Sequence, residues 1–163
     1  MIFRLSAKLG KKLKVAPTEV LPAHSNPYAD WSANLFTADR AQYILITNTV
    51  SCYSRVIFGR GITDDSTFLN RAISSLNELM VNDGYQLIRD RVFLPETSAV
   101  SFSKALNRSI TGSMNELVMF AKILLSEEEI SPLDASSKLN GFLLSYVDYV
   151  YPRDGFGKMK INQ

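Results

Sequence analysis

Residues 107–115 run Asn-Arg-Ser-Ile-Thr-Gly-Ser-Met-Asn, placing an arginine, three hydroxyls and a glycine directly before an apolar-periodic stretch. The first amides of a helix lack intrahelical partners and carry about half a unit of positive charge, so a phosphate or carboxylate is readily held there. Arg108 offers a bidentate contact, Ser109 and Ser113 offer hydroxyl donors, and Gly112 lets an anion approach the backbone. Ser113 and Glu116 have the spacing of a capping box, which predicts a helix opening at Ser113. The structural alternative is that these two residues only cap the helix while Arg108 meets an acid such as Asp39. The segment lacks the G-x-x-x-x-G-K-[ST] pattern of a Walker loop, so it does not point to nucleotide hydrolysis.

Other reactive side chains have plainer readings. Ser113 lacks the second glycine of a nucleophile elbow. Cys52 and His24 are the single cysteine and the single histidine. They can be drawn as a thiol dyad, but Cys52 reads more simply as a small buried hydrophobe. Asp30, Asp39, Asp64 and Asp65 flank the β-rich region and can hold Mg²⁺ if two of them converge. Turn and capping roles explain them as well. Lys8, Lys11, Lys12 and Lys14 are candidate nucleic-acid contacts, with Tyr43, Tyr53 or Trp31 as stacking platforms. Tyr146, Tyr149 and Tyr151 are candidate anchors of a protein interface.

Residues 1–18 carry Arg4 and these four lysines and no acid, a local charge of +5 within a chain of net charge +2. The remaining 13 basic and 16 acidic residues leave a body of −3. A basic edge on a mildly acidic body points to an anionic partner. One cysteine excludes an internal disulfide, and one histidine with it excludes a Cys/His zinc site. No metal or cofactor is expected. The lysines interrupt the only candidate signal sequence, and no apolar run is long enough to span a bilayer, so a cytoplasmic protein without membrane contact is expected.

The elements that must position these residues follow from periodicity. With 163 residues, 46% hydrophobic and 21% charged, the chain fits one domain with one core over 1–163. Residues 2–6 read as a strand and 7–15 as a short basic helix. Residues 16–30 contain Pro17, Pro22 and Pro27 and read as a surface loop. Three β-rich runs, 31–37, 42–48 and 53–58, have short connections and predict an antiparallel meander. Asp64, Asp65 and Ser66 are N-cap candidates for a helix with Phe68, Leu69, Ala72, Ile73, Leu76, Leu79 and Met80 on one face, broken at Asn82-Asp83-Gly84. Residues 85–93 predict a shorter helix and 99–104 a further strand. The helix after Ser113 and one opening at Pro132, with Leu139, Leu143, Tyr146 and Val147 buried, complete the chain. Pro152, Gly155 and Gly157 mark its end, and 158–163 read as a loose tail. The expected class is α+β, a small antiparallel sheet with three to four helices on one face.

Met1-Ile2-Phe3-Arg4, Trp31-x-Ala33-Asn34-Leu35, Asp39-Arg40, Thr47-Asn48 and Asn107-Arg108-Ser109-x-x-Gly112-Ser113-Met114-Asn115 resemble an uncharacterised family of short bacterial proteins. The resemblance implies a single cytosolic domain and carries no activity, substrate or cofactor. It points to the hairpin and to the turn before Ser113. If these meet, Asn34, Arg40, Asn48 and Arg108 form a polar cluster suited to an anion. The expected function is a non-catalytic module that recognises an anionic group on a nucleic-acid or protein partner. An accessory role in a toxin–antitoxin, phage or defence system fits this reading. The alternative is a metal-dependent nuclease or phosphoester hydrolase using Asp30, Asp39 or Glu116, with Arg108 as the anion clamp.

Overall fold

The computed structural model describes residues 1–127, 129–142, 144 and 150–161. Five strands form one sheet: β1 (Ile2–Leu5), β2 (Asp30–Ala38), β3 (Ala41–Asn48), β4 (Ser54–Phe58) and β5 (Ser101–Ser103), in the order β4-β3-β2-β1-β5. The meander β2-β3-β4 is antiparallel, with Trp31 opposite Asn48 and Tyr43 opposite Phe58. Its first connection is a two-residue turn in which Asp39 (φ 44°) and Arg40 (φ 62°) are both left-handed, the geometry that matches strand twist.

The sheet is mixed rather than antiparallel. β1 lies between β2 and β5 and runs parallel to both. Parallel neighbours need a long crossover, and α1 (Ala7–Leu13) with the loop after it supplies one between β1 and β2. That connection reads as helix plus surface loop in the sequence; nothing local in it discloses which way the strands pair.

Alternation along the strands gives the sheet two covered faces, not one. Phe3, Leu5, Trp31, Ala33, Ile44, Ile46 and Ile57 meet Leu9 and Leu13 of α1 and Phe68, Ala72, Leu76 and Leu79 of α2 (Asp65–Asn82). Phe36, Tyr43, Leu45 and Val56 point the other way, toward Ile110, Met114, Leu117, Ala121 and Leu124 of α4 (Arg108–Glu127) and toward Ala135 and Leu139 of α5 (Pro132–Leu139). Between these helices the chain makes α3 (Gln86–Ile88), a π turn (Arg89–Phe93) and a 3-10 turn (Leu94–Ser98).

Six α-helices occur among the described residues, against the three to four expected. The sixth, α6 (Pro152–Lys158), runs through Gly155 and Gly157, where the sequence marks a helix end. Its Phe156 is fully buried against Tyr28, Trp31, Tyr53 and Tyr85, and the carbonyl of Met159, just past the helix, accepts a hydrogen bond from Tyr28 Oη. Burial of one large aromatic outweighs the weak helix propensity of two glycines. Lys158 is therefore helical rather than part of a tail. Leu143, Tyr146, Val147 and Tyr149 lie outside the described residues.

Both sheet edges are closed. On β4, the Ser54 amide donates to Asn140 Oδ1 at 2.7 Å, Asn140 Nδ2 donates to the Ser54 carbonyl at 2.9 Å, and the Val56 amide donates to Ser136 Oγ at 2.8 Å. On β5, Ser103 Oγ accepts from the Leu21 amide and the Lys104 amide donates to the Glu19 carbonyl. Side chains and a loop thus take the place of a sixth strand.

Candidate functional site

The parallel strands frame a large concavity. β1 leads into α1, whose apolar residues pack on the Trp31 face, whereas β5 leads toward α4, which packs on the Leu45 face. Two adjacent parallel strands that send their following helices to opposite faces leave a gap at their carboxyl ends. In open sheets of this kind that gap is where ligands bind. Here it opens as a cleft of about 850 Å³, lined by residues of β1, α1, the 14–17 turn, β2, the segment after β5 and the first turns of α4.

The walls come from defined local causes. Ser6 caps α1, its Oγ accepting from the Leu9 amide, and its own amide donates to the Ala33 carbonyl of β2. At the far end Lys14 closes the helix in a left-handed conformation (φ 58°), and the Val15 amide returns to the Gly10 carbonyl at 2.9 Å. A Cβ on residue 10 would stand 2.7 Å from the Val15 carbonyl oxygen, so only glycine permits this return. The turn carries Lys11, Lys14, Val15, Ala16 and Pro17 to one side of the cleft. Lys104 and Ala105, both exposed, stand opposite, with Ile110, Thr111 and Met114 from α4.

The cleft is basic. Arg4, Lys11, Lys14 and Lys104 line it, and among the described residues no aspartate or glutamate does. Arg4 is committed elsewhere: buried to 1% exposure, it donates to both carboxylate oxygens of Asp30 and to the Leu21 and Pro22 carbonyls. Burial alone would raise the Asp30 carboxyl, but hydrogen bonds from Arg4, the His24 amide and Thr49, with the Arg4 charge, hold it below the ordinary aspartate range. The three lysines, by contrast, make no ion pair within 4.0 Å among the described residues.

The singled-out residues fall in different places. Asn34, half-buried in β2, lines the cleft, as do Lys11 and Lys14. Lys12 donates to Gln42 Oε1, and Lys8 is exposed outside the cleft lining. Arg40 is exposed at the hairpin tip, whereas Asn48 ends β3, on the order of 25 Å of strand away. The expected polar cluster of Asn34, Arg40, Asn48 and Arg108 therefore does not form. Asn48 is fully buried and fully used, donating to the Pro27 and Asp30 carbonyls and accepting from Val50, Ser51 and the Ser51 hydroxyl. It fastens the β3–β4 turn.

The helix at 107–115 also starts earlier than the capping-box spacing predicts. α4 begins at Arg108, and Asn107 Oδ1 accepts from the Ile110 amide as the cap. Ser113 sits in the second turn, donating to the Ser109 carbonyl, so its Oγ faces no free amides. Arg108, Ser109 and Gly112 are exposed on this first stretch of helix, while Thr111 and Met114 reach the cleft. Lys104 is a cleft residue that the sequence reading missed, whereas Ile110 and Thr111 lie within the 107–115 segment without having been assigned contacts; Asn107, a strong N-cap type three residues before an apolar position, was the signal available for the true helix start.

The remaining candidates have separate surroundings. His24 Nδ1 accepts from the Asn26 amide and its Nε2 stands 3.7 Å from Glu96, whereas Cys52 is buried in the core under α4 and α5. Burial, helped by the charge of Glu116, pushes the Cys52 thiol up to about 12. Asp64 caps α2 and Asp39 forms the hairpin turn. Among the described residues no three Asp, Glu, His or Cys side chains gather as a metal-holding group. No helix among them is long and apolar enough to cross a membrane.

The model of a family described as a domain of unknown function, DUF6933, matches residues 2–155, and the chain belongs to that family. No curated protein and no solved structure matches it.

Proposed function

We propose that the protein is a binding module that holds an anionic group in the cleft at the carboxyl ends of β1 and β5. The observation that carries this reading is the charge of the lining: Lys11, Lys14 and Lys104 face one concavity and, among the described residues, no acid lines it. A concave, water-restricting wall raises the effect of each charge above its value on an open surface. The position at the switch between the two parallel strands supports the same conclusion.

Native mass spectrometry, with the absorbance ratio at 260 and 280 nm, on protein purified at low and at high salt tests this function. The reading predicts an anionic adduct retained at low salt, stripped at high salt and absent from the Lys11→Ala/Lys104→Ala double variant. Nucleic acid as the carrier of that anion would raise the absorbance ratio, and a protein partner would add a polypeptide mass. An adduct-free protein under both conditions, or an adduct equally retained by the double variant, contradicts the proposal.

A further inference from the structure

We infer that the ligand of this cleft is an amphiphile, a flexible aliphatic chain ending in an anionic head; the inference rests on the anion-binding reading above and names the class of molecule. Two features of the lining select it. First, the interior wall is mainly aliphatic: Leu5, Val15, Pro17, Ala33, Ile110 and Met114 contribute to it, beside the small polar Ser6 and Ser32. Among the described residues no phenylalanine, tyrosine or tryptophan does, so a base or another flat ring finds no face to stack on there. Second, charge and apolar surface are segregated. The exposed Lys11, Lys14 and Lys104 stand at the rim, while Ile110, Met114 and Ala33 are buried below them. A head at the rim keeps its hydration in part and meets the lysines, and a tail inward replaces water on the aliphatic wall.

The volume is consistent with such a molecule. A cleft of about 850 Å³ falls in the range of small-molecule sites. Arg4, although it lines the cleft, is already neutralised by Asp30 and does not draw the head inward. That pairing leaves the lysines at the mouth, none of them in an ion pair within 4.0 Å among the described residues, as the cations of the lining open to a ligand.

Titration calorimetry with a series of monoalkyl phosphates below their aggregation concentrations tests the inference, using inorganic phosphate and decanol as the two controls. Each methylene that enters the aliphatic wall is expected to strengthen binding by up to about fourfold, so decyl phosphate should exceed hexyl phosphate by well over tenfold. Lys11→Ala/Lys104→Ala should weaken decyl phosphate by about tenfold or more, and Ala105→Trp, a filling change at an exposed wall position, should abolish binding while leaving the fold intact by circular dichroism. Inorganic phosphate binding as tightly as decyl phosphate, in a lysine-dependent manner, would overturn the amphiphile and leave the anion site standing. Decanol binding as tightly as decyl phosphate, with no effect of the lysine changes, would overturn both. The absence of binding by every member of the series would overturn the amphiphile, while the low-salt adduct decides the anion site separately.

Discussion

Arg4 Nε and Nη2 each lie 2.7 Å from an oxygen of the Asp30 carboxylate, a two-pronged ion pair between the neighbouring parallel strands β1 and β2. Both side chains are buried, and Arg4 spends its remaining donors on Leu21, Pro22 and Ser103. One arginine thereby ties β1, β2, β5 and the 16–26 loop together on the face beside the cleft. Removing the arginine leaves the buried Asp30 carboxylate without its counter-charge, so Arg4→Met should cost about 3 to 5 kcal/mol in urea unfolding.

The same pair sets an acid dependence. Asp30 is held below its ordinary value of 3.8 in the folded state, so its contribution is complete above that value and is lost as pH falls through the depressed one. Unfolding free energy followed from pH 6 downward should therefore fall more steeply in the wild type than in Asp30→Asn, whose residue does not titrate. Parallel slopes for the two proteins would show that Asp30 does not carry the acid sensitivity.

The α4 start gives a paired comparison. Asn107→Ala removes the cap on the Ile110 amide and should cost about 1 kcal/mol, whereas Ser113→Ala removes only a bond back to Ser109 within the helix and should stay within about 0.5 kcal/mol. Thermal or urea unfolding of the two variants reads the difference. The reverse order would place the helix start at Ser113 after all.

How much of this was legible in sequence depends on range. The meander was, because β2, β3 and β4 alternate and are joined by short turns, and α2 was, because Phe68, Ala72, Leu76 and Leu79 repeat at helical spacing beneath the Asp64 cap. The parallel pairing of β1 with β5 was not. Phe3 pairs with Phe102, almost a hundred residues away, and three-residue β5 carries almost no periodic signal. The cleft inherits that limit: Lys11, Lys14 and Asn34 stand out by type and position, but Lys104 becomes a site residue only once β5 lies beside β1. The resemblance to an uncharacterised family agrees with the family match, which brings no activity with it.

The β4 edge depends on two polar side chains. Asn140→Ala strips partners from both the amide and the carbonyl of Ser54, and Ser136→Ala strips one from the Val56 amide. Each should lower stability by about 1 to 3 kcal/mol, and Asn140→Ala should cost more. Urea unfolding gives the values; light scattering at raised concentration should show added self-association from the opened edge.

Cys52 should be inert in the native protein. It is fully buried and its thiol is pushed up to about 12, so thiolate is scarce at neutral pH. Labelling with iodoacetamide at pH 7.5 should be slow in buffer and complete in urea, its rate following the unfolded fraction. Fast labelling of the folded protein would remove this residue from the core.

The cleft itself is tested most directly by an amide chemical-shift map during titration with decyl phosphate. The account predicts saturable shifts at Gly10, Asn34, Ala105 and Thr111, which surround the cavity, with Arg40 at the hairpin tip and Asn48 in its buried turn unmoved. Shifts centred on Arg40 or on the exposed face of Arg108 and Gly112, or no saturable shift at all, would contradict the assignment of the site to the carboxyl ends of β1 and β5.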